Sequence, residues 1–223
     1  MRRIVVICEG QTEEAFISRV LVPATIEFGI HLQGITVETS RGCKGGGLKY
    51  ARLLLAVRNA LASGNVAAVA TLIDLYKLAT DFPGYAEAMV QPHLSARLQT
   101  LELRLHQDVV AKVGCDQARF VPHIQPHEFE ALLFSDIGAL CSVESGWASS
   151  APALQATRAS AATPEEINGG DLTKPSSRLD AILRNPSYRK LRHGPIATER
   201  IGLAKIEAEC LHFASWLAKL RQL

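Results

Sequence analysis

Arg3-Ile4-Val5-Val6-Ile7-Cys8-Glu9-Gly10, at the start of the chain, and Val66-Ala67-Ala68-Val69-Ala70-Thr71-Leu72-Ile73-Asp74, further along, decide the fold. Both are short apolar runs rich in β-branched residues, and neither has an alternating polar face. A strand covered on both sides has this composition, as in a parallel sheet. Each run ends on a carboxylate.

Between and after these runs the hydrophobic period becomes that of a helix. Thr12 opens a helical pattern with Phe16, Val20 and Leu21 on one face, and Glu13 and Glu14 fall in the first turn, where the helix dipole favours acids. Pro23 should bend or divide that helix. Residues 30–38 read as a second strand, 42–47 as a Gly-rich loop and 48–62 as an amphipathic helix. After a loop with Asp81, Pro83 and Gly84, residues 86–113 predict one long helix broken near Pro92. Residues 119–124 predict a short strand, and Pro126, suited to a first helical turn, opens a helix over 126–134. Residues 142–171, rich in Ser, Ala, Thr and Gly, read as a loosely structured, lid-like insertion. Helices are expected over 176–183 and 201–220, with Trp216 in the core. Strands alternating with helices predict an α/β fold, a mostly parallel sheet with helices on both faces. The core is expected over residues 1–140, with 141–223 as a helical C-terminal extension of the same globular unit.

Composition narrows the class. The chain has 223 residues, 48% apolar and 21% charged, which excludes a disordered, collagen-like or rod-like chain. Its longest apolar stretch, 66–73, falls far short of the ~18 residues of a membrane span, so no membrane association is expected. An acid follows the first apolar run and no small-residue cleavage site is present, so no signal peptide is expected. Five widely spaced cysteines without a Cys-x-x-Cys pair suggest reduced thiols in a cytoplasmic protein. The net charge of +2 is too small to imply nucleic acid by itself. From Asp171 onward, however, 10 basic residues stand against 5 acidic ones. Such a tail either contacts phosphates or forms a solvated helical surface.

In open α/β sheets, ligands bind beyond the carboxyl ends of the strands. Here those ends carry Glu9, Asp74 and, after the third strong strand, His127-Glu128-Phe129-Glu130. Carboxylates brought together repel and resist desolvation, and a hard cation such as Mg²⁺ offsets both costs. Two such ions can clamp the attacking and leaving oxygens of a phosphodiester. Taken singly each is more often structural, Glu9 as a helix cap, Asp74 as a loop acceptor and Glu128 as a cap of the 126–134 helix; jointly they favour a site. On a regular helix Glu128 and Glu130 would point ~200° apart, so both reach one site only if that helix begins irregularly.

Glu9-Gly10-Gln11-Thr12-Glu13, Thr71-Leu72-Ile73-Asp74 and His127-Glu128-Phe129-Glu130-Ala131-Leu132-Leu133-Phe134 together resemble the Toprim superfold. More narrowly they resemble its bacterial family of unknown function, often encoded beside AAA-type ATPases and related to overcoming-lysogenization-type nucleases. Asp81-Phe82-Pro83-Gly84 and Lys174-Pro175-Ser176-Ser177-Arg178-Leu179 extend the resemblance, which covers roughly residues 3–185. It implies a Toprim-like fold and a Mg²⁺- or Mn²⁺-dependent nuclease acting on nucleic acid. It also implies an ATPase partner and a role in phage defence or DNA repair. Toprim enzymes use the first-strand glutamate as general acid or base and an Asp-x-Asp pair for the metal. Glu9 and Asp74 take those positions here, but the pair reads Asp74-Leu75-Tyr76, without its second carboxylate. Asp81, Glu128 or Glu130 are the available substitutes. The catalytic set expected is Glu9, Asp74 and Glu130, with Glu9, Asp74, Glu128 and Glu130 toward the metal and Thr12, Glu13 and His127 in support. The alternative is a non-catalytic binding or regulatory subunit that keeps the scaffold.

Lys44, Gly45 and Gly46 lie in a loop leading into a helix, where backbone N–H groups can cradle a phosphate. The loop lacks the Gly-Lys-Ser/Thr ending of a P-loop, so an ATPase is not expected. Lys174, Ser176 and Arg178 read either as a second phosphate contact or as an ordinary helix start. His-Glu-x-x-His, Gly-x-Ser-x-Gly and Gly-x-Gly-x-x-Gly motifs are absent, which argues against a zinc protease, a serine hydrolase and a dinucleotide enzyme.

Overall fold

The computed structural model describes residues 1–37, 48–76, 78–168 and 170–223. Strand β1 (Arg2–Cys8) is the spine of the sheet. It pairs in parallel with β2 (Ile30–Thr36) on one side and with β3 (Ala68–Asp74) on the other. Beyond β3 lie two short parallel strands, β4 (Phe120–Val121) and β5 (Ile124–Gln125). The order is β2-β1-β3-β4, with β5 also beside β3. The expected single strand over 119–124 is therefore split. Pro122 has no N–H for a ladder, and Thr71 bridges the gap with its side chain. Its Oγ1 accepts from the His123 N–H (2.8 Å) and donates to the His123 carbonyl (2.9 Å).

The two central strands, β1 and β3, bury both faces. Ile4, Val6 and Cys8 join one hydrophobic core while Val5 and Ile7 join the other; along β3, Ala68, Ala70 and Leu72 alternate in the same way with Val69 and Ile73. The second core is covered by α3 (Tyr50–Ala62), α4 (Tyr85–Met89) and α5 (Leu94–Val113). Leu53, Val57 and Leu61 on α3 and Leu98, Leu101, Leu105 and Val109 on α5 are buried at helical spacing. The first core is covered by α1 (Gln11–Phe16) and α2 (Val22–Ile26), joined by a widened π turn over Ile17–Leu21. Pro23, at the start of α2, cannot donate to a helix ladder, and the wider turn accommodates it. No helix among the described residues is long and apolar enough to cross a membrane.

The C-terminal half continues the first core with α6 (Ile137–Cys141), α7 (Ala151–Ala159), α8 (Pro175–Ile182), α9 (Lys190–Ile201), α10 (Leu203–Glu209) and α11 (Leu211–Arg221). Two expectations are corrected here. The stretch 142–171 is not loosely structured: α7 lies within it, and Trp147, Leu154 and Ile167 are buried in the core. Its small residues permit close packing; a Cβ at Gly146 would lie 2.0 Å from the Asn185 carbonyl oxygen. Helix α9 was not foreseen, because Gly194 and Pro195 interrupt its pattern.

Gly194 earns its place by contact. A Cβ there would stand 2.8 Å from Thr12 Cγ2, so only glycine lets α9 close on α1. Alanine is normally the better helix former by about 1 kcal/mol, yet overpacking against a buried β-branched neighbour costs about 1–3 kcal/mol. Gly194→Ala is expected to lower unfolding stability in urea titration, and Thr12→Ser in the same chain, which removes the opposing methyl, should restore most of the loss.

Candidate functional site

The connections from β1 lead to β2 on one side of the sheet, while β3 and the strands after it lie on the other. The crevice between the carboxyl ends of β1 and β3 is thus the topological switch point. Glu9 follows directly on β1, and Asp74 ends β3. The Asp74 N–H donates to Glu9 Oε1 (3.1 Å), and Asp74 Oδ1 accepts from the Phe129 N–H (2.9 Å). Two carboxylates and the segment after β5 are thereby laced together through backbone donors.

That segment does not open as the helix expected from Pro126. His127 takes a positive φ of 59°, rare for a side-chain-bearing residue, and its carbonyl accepts the Tyr76 N–H (2.8 Å). Glu128 is extended, and a tight 3₁₀ stretch runs over Phe129–Ser135. This irregular start sends the two glutamates to different partners. Glu128 is held by Lys174 Nζ (2.5 Å) and by the Ser176 N–H (3.0 Å). Glu130 is buried and lies 3.4 Å from Lys190 Nζ. Lys190, the first residue of α9, also lies 3.1 Å from Glu13 on α1. Glu9 and Asp74 stand at a partly accessible rim, while Glu13 and Glu130 are buried beneath. Glu13 Oε2 and Glu130 Oε1 are buried and have no hydrogen-bond partner.

The electrostatics follow from this crowding. Loss of water pushes Glu9 up to about 7, with the Asp74 N–H opposing and Glu13 adding to the rise. Asp74 is pushed well above the usual carboxylate range, first by desolvation and then by Glu13, Glu9 and Glu130, against the pull of Lys190. Glu130 rises for the same leading reason. Burial alone would lower Lys190, but Asp74, Glu130 and Glu13 outweigh it and hold the ammonium charged well above its ordinary range. Burial also acts to raise Glu128, and there the bonds to Lys174 and Ser176 win, so it is held below its ordinary value. Burial pulls His127 down to about 4, which leaves it neutral near pH 7.

The other expected residues fall as follows. Thr12 is buried against α9. Asp81 accepts from the Tyr50 N–H at 3.3 Å, at the start of α3, and does not substitute for a second carboxylate in the cluster. Lys174 lies 4.0 Å above the Tyr76 ring, and Arg178 Nε donates to the Thr173 carbonyl (2.6 Å). Lys44, Gly45 and Gly46 lie outside the described residues. Lys190 was missed from the sequence: it is one basic residue in a basic tail, and only the docking of α9 on α1 brings it among the acids. Also missed were Glu102, His123 and His212, the one trio of potential ligand residues, among those described, whose ligand atoms all lie within 4.8 Å of one another.

No curated protein matches the chain. Among solved structures, the C-terminal region of the OLD protein of Xanthomonas campestris pv. campestris is similar at 17% identity and a TM-score of 0.38, over 100% of this chain and 99% of that one. A protein-family model described as a domain of unknown function, DUF4276, matches residues 8–221. The match runs from Cys8, the last residue of β1, to Arg221, the end of α11, and the chain belongs to the DUF4276 family.

Proposed function

We propose that this chain is a divalent-cation-dependent phosphoesterase acting on nucleic acid, built on a Toprim-like sheet, with Glu9, Asp74 and Glu130 as its catalytic carboxylates. The observation that supports it is the pair of unpartnered buried oxygens, Glu13 Oε2 and Glu130 Oε1, in a cluster with more carboxylates than Lys190 can neutralise. All-oxygen donors and surplus negative charge suit Mg²⁺ or Mn²⁺. Asp74, Glu130 and Glu9 would hold the ion, and Glu128 would join only after leaving Lys174. A bound ion supplies Lewis-acid polarisation of a phosphoryl oxygen and a bound water acidic enough to attack near neutral pH.

The chain's own residues would do the rest. Glu9, held at about 7, is poised to take a proton from the nucleophile and return one to the leaving oxygen. The Lys190 ammonium, beside Glu13 and Glu130, would stabilise phosphoryl charge as it grows. Lys174, Ser176 and Arg178, with Lys44, Gly45 and Gly46, are proposed to hold flanking phosphates. The ATPase partner and the role in phage defence or DNA repair rest on the sequence resemblance. A second reading, a non-catalytic Toprim-like subunit, is favoured by Asp74-Leu75-Tyr76 and by Lys190 serving as a built-in counter-ion.

Plasmid, single-stranded DNA and RNA incubated with the full chain and Mn²⁺ or Mg²⁺ separate the two. Cleavage should need the cation and fall by about 10²–10⁴-fold in Glu9→Gln; equal cleavage by wild type and variant would remove the enzyme reading. Stability against pH checks the electrostatics. Glu9 has an ordinary value of 4.5 and a folded value of about 7, so the native state binds the extra proton between them. Its ionisation therefore costs stability as pH rises through that window. Thermal unfolding without metal should show a decline there that Glu9→Gln flattens. Mn²⁺ should raise Tm more at about pH 8 than at about pH 6, because the ion competes with that proton.

A further inference from the structure

We infer that Glu102, His123 and His212 hold a transition-metal ion of the zinc class, a second metal site independent of the carboxylate cluster. The three residues come from separate elements: Glu102 from α5, His123 from the link between β4 and β5, and His212 from the first turn of α11. His212 Nε2 lies 2.8 Å and His123 Nδ1 3.8 Å from the same Glu102 oxygen, Oε1. Two imidazoles and one carboxylate suit zinc and its neighbours, whereas Mg²⁺ prefers oxygen alone.

The decisive detail is the orientation of His123. Its Nε2 lies 3.1 Å from the Gln125 side-chain amide, which holds the ring in place. Nδ1 is buried without a hydrogen-bond partner, on a residue 0% exposed, and points to Glu102 Oε1 from 3.8 Å. A buried ring nitrogen with no hydrogen bond, beside a carboxylate oxygen, is a contact that a cation held between the two would satisfy on both sides. Histidine ligands to metals are commonly fixed in this way, with the far ring nitrogen donating to an outer-shell oxygen. Gln125 fills that role.

The surrounding packing holds the ligands still. His123 is stacked between the His212 ring (4.9 Å, 28°) and the Trp216 ring (5.0 Å, 27°). Glu102 Oε1 also takes the Ile124 N–H at 2.8 Å. Glu165 accepts the N–H groups of His212 and Phe213 (2.9 and 3.0 Å), which fixes the first turn of α11. A cleft of about 500 Å³ opens beside Glu102 and another of about 600 Å³ beside His212, so an ion has a route in and a water can complete the coordination. The ion would clasp α11 and α5 to the edge of the sheet at β5.

The test uses the full chain, without a histidine tag, stripped by chelator and titrated with Zn²⁺ and, for its visible d–d bands, with Co²⁺. One ion per chain is expected at this site, beyond any taken by the carboxylate cluster and retained in Asp74→Asn, with a rise in Tm. Glu102→Gln and His212→Gln should each abolish stoichiometric binding, and Gln125→Leu should weaken it by about 10–100-fold. Asp74→Asn, at the other cluster, should bind Zn²⁺ as the wild type does. Failure of the wild type to bind, undiminished binding in both Glu102→Gln and His212→Gln, or loss of Zn²⁺ in Asp74→Asn would each overturn the inference. The wild-type titration decides even if a variant fails to fold, and nuclease activity does not enter the readout.

Discussion

The carboxylates of Glu9, Glu13, Asp74 and Glu130, drawn out of water around the Lys190 ammonium, are the constraint on which the rest of the structure turns. Desolvated like charges are costly unless something of opposite sign or a hydrogen-bond donor meets them. The chain meets them with backbone donors at the rim, from Asp74 and Phe129, and with the half-exposed Lys190, whose ammonium reaches the buried Glu13 and Glu130. The compensation is incomplete, since two buried carboxylate oxygens keep no partner and three of the acids are driven up in pKa. A core built for stability alone would not keep such a cluster. Charge crowding of this kind, at the switch point of a parallel sheet, is what the proposed cation site and proton transfer would draw on.

The C-terminal helices take part in this balance and do more than cover the sheet. Lys190 on α9 reaches Glu13 and Glu130, and Lys174, which leads into α8, reaches Glu128. The charge asymmetry of the sequence thus has a structural meaning. Part of the basic excess after residue 171 is turned inward onto acids supplied by residues 1–140, whose own balance is negative. The contact at Gly194 makes this possible, since any side chain there would push α9, and Lys190 with it, away from α1.

The sheet was legible because a strand buried on both faces has a composition that few other structures share; β1 and β3 were found from apolar, β-branched runs and little else. The acids at their ends were legible for the related reason that a parallel sheet presents those ends as one edge. What escaped depends on contacts between distant segments. Helix α9 is hidden by a glycine and a proline whose presence is explained only by its neighbour on α1 and by the turn it must begin. The irregular start at His127 follows from a hydrogen bond between its carbonyl and the Tyr76 N–H, which no local pattern encodes. Glu102, His123 and His212 are 110 residues apart at their extremes and have no motif spacing at all.

Asp74-Leu75-Tyr76 is the point at which the resemblance to Toprim enzymes and the structure have to be weighed together. The position of the missing second carboxylate is taken by Tyr76, whose hydroxyl donates to Asp171 (2.8 Å) and whose ring lies beneath Lys174. That tyrosine contributes no charge to the cluster and instead ties the end of β3 to the approach of α8. The negative charge a second aspartate would bring arrives from elsewhere: Glu130 from the 3₁₀ stretch and Glu13 from α1, each with one oxygen unspent. Since a hard cation responds to the number and placement of oxygen donors and not to their order along the chain, loss of the Asp-x-Asp pattern does not by itself remove the capacity to bind one. Under the proposed function the balance rests on Lys190, which would have to yield the centre of the cluster to a divalent ion or share it. An ammonium and a divalent ion together would bring three positive charges to four carboxylates, closer to neutral than either cation alone, and that electrostatic sum favours sharing.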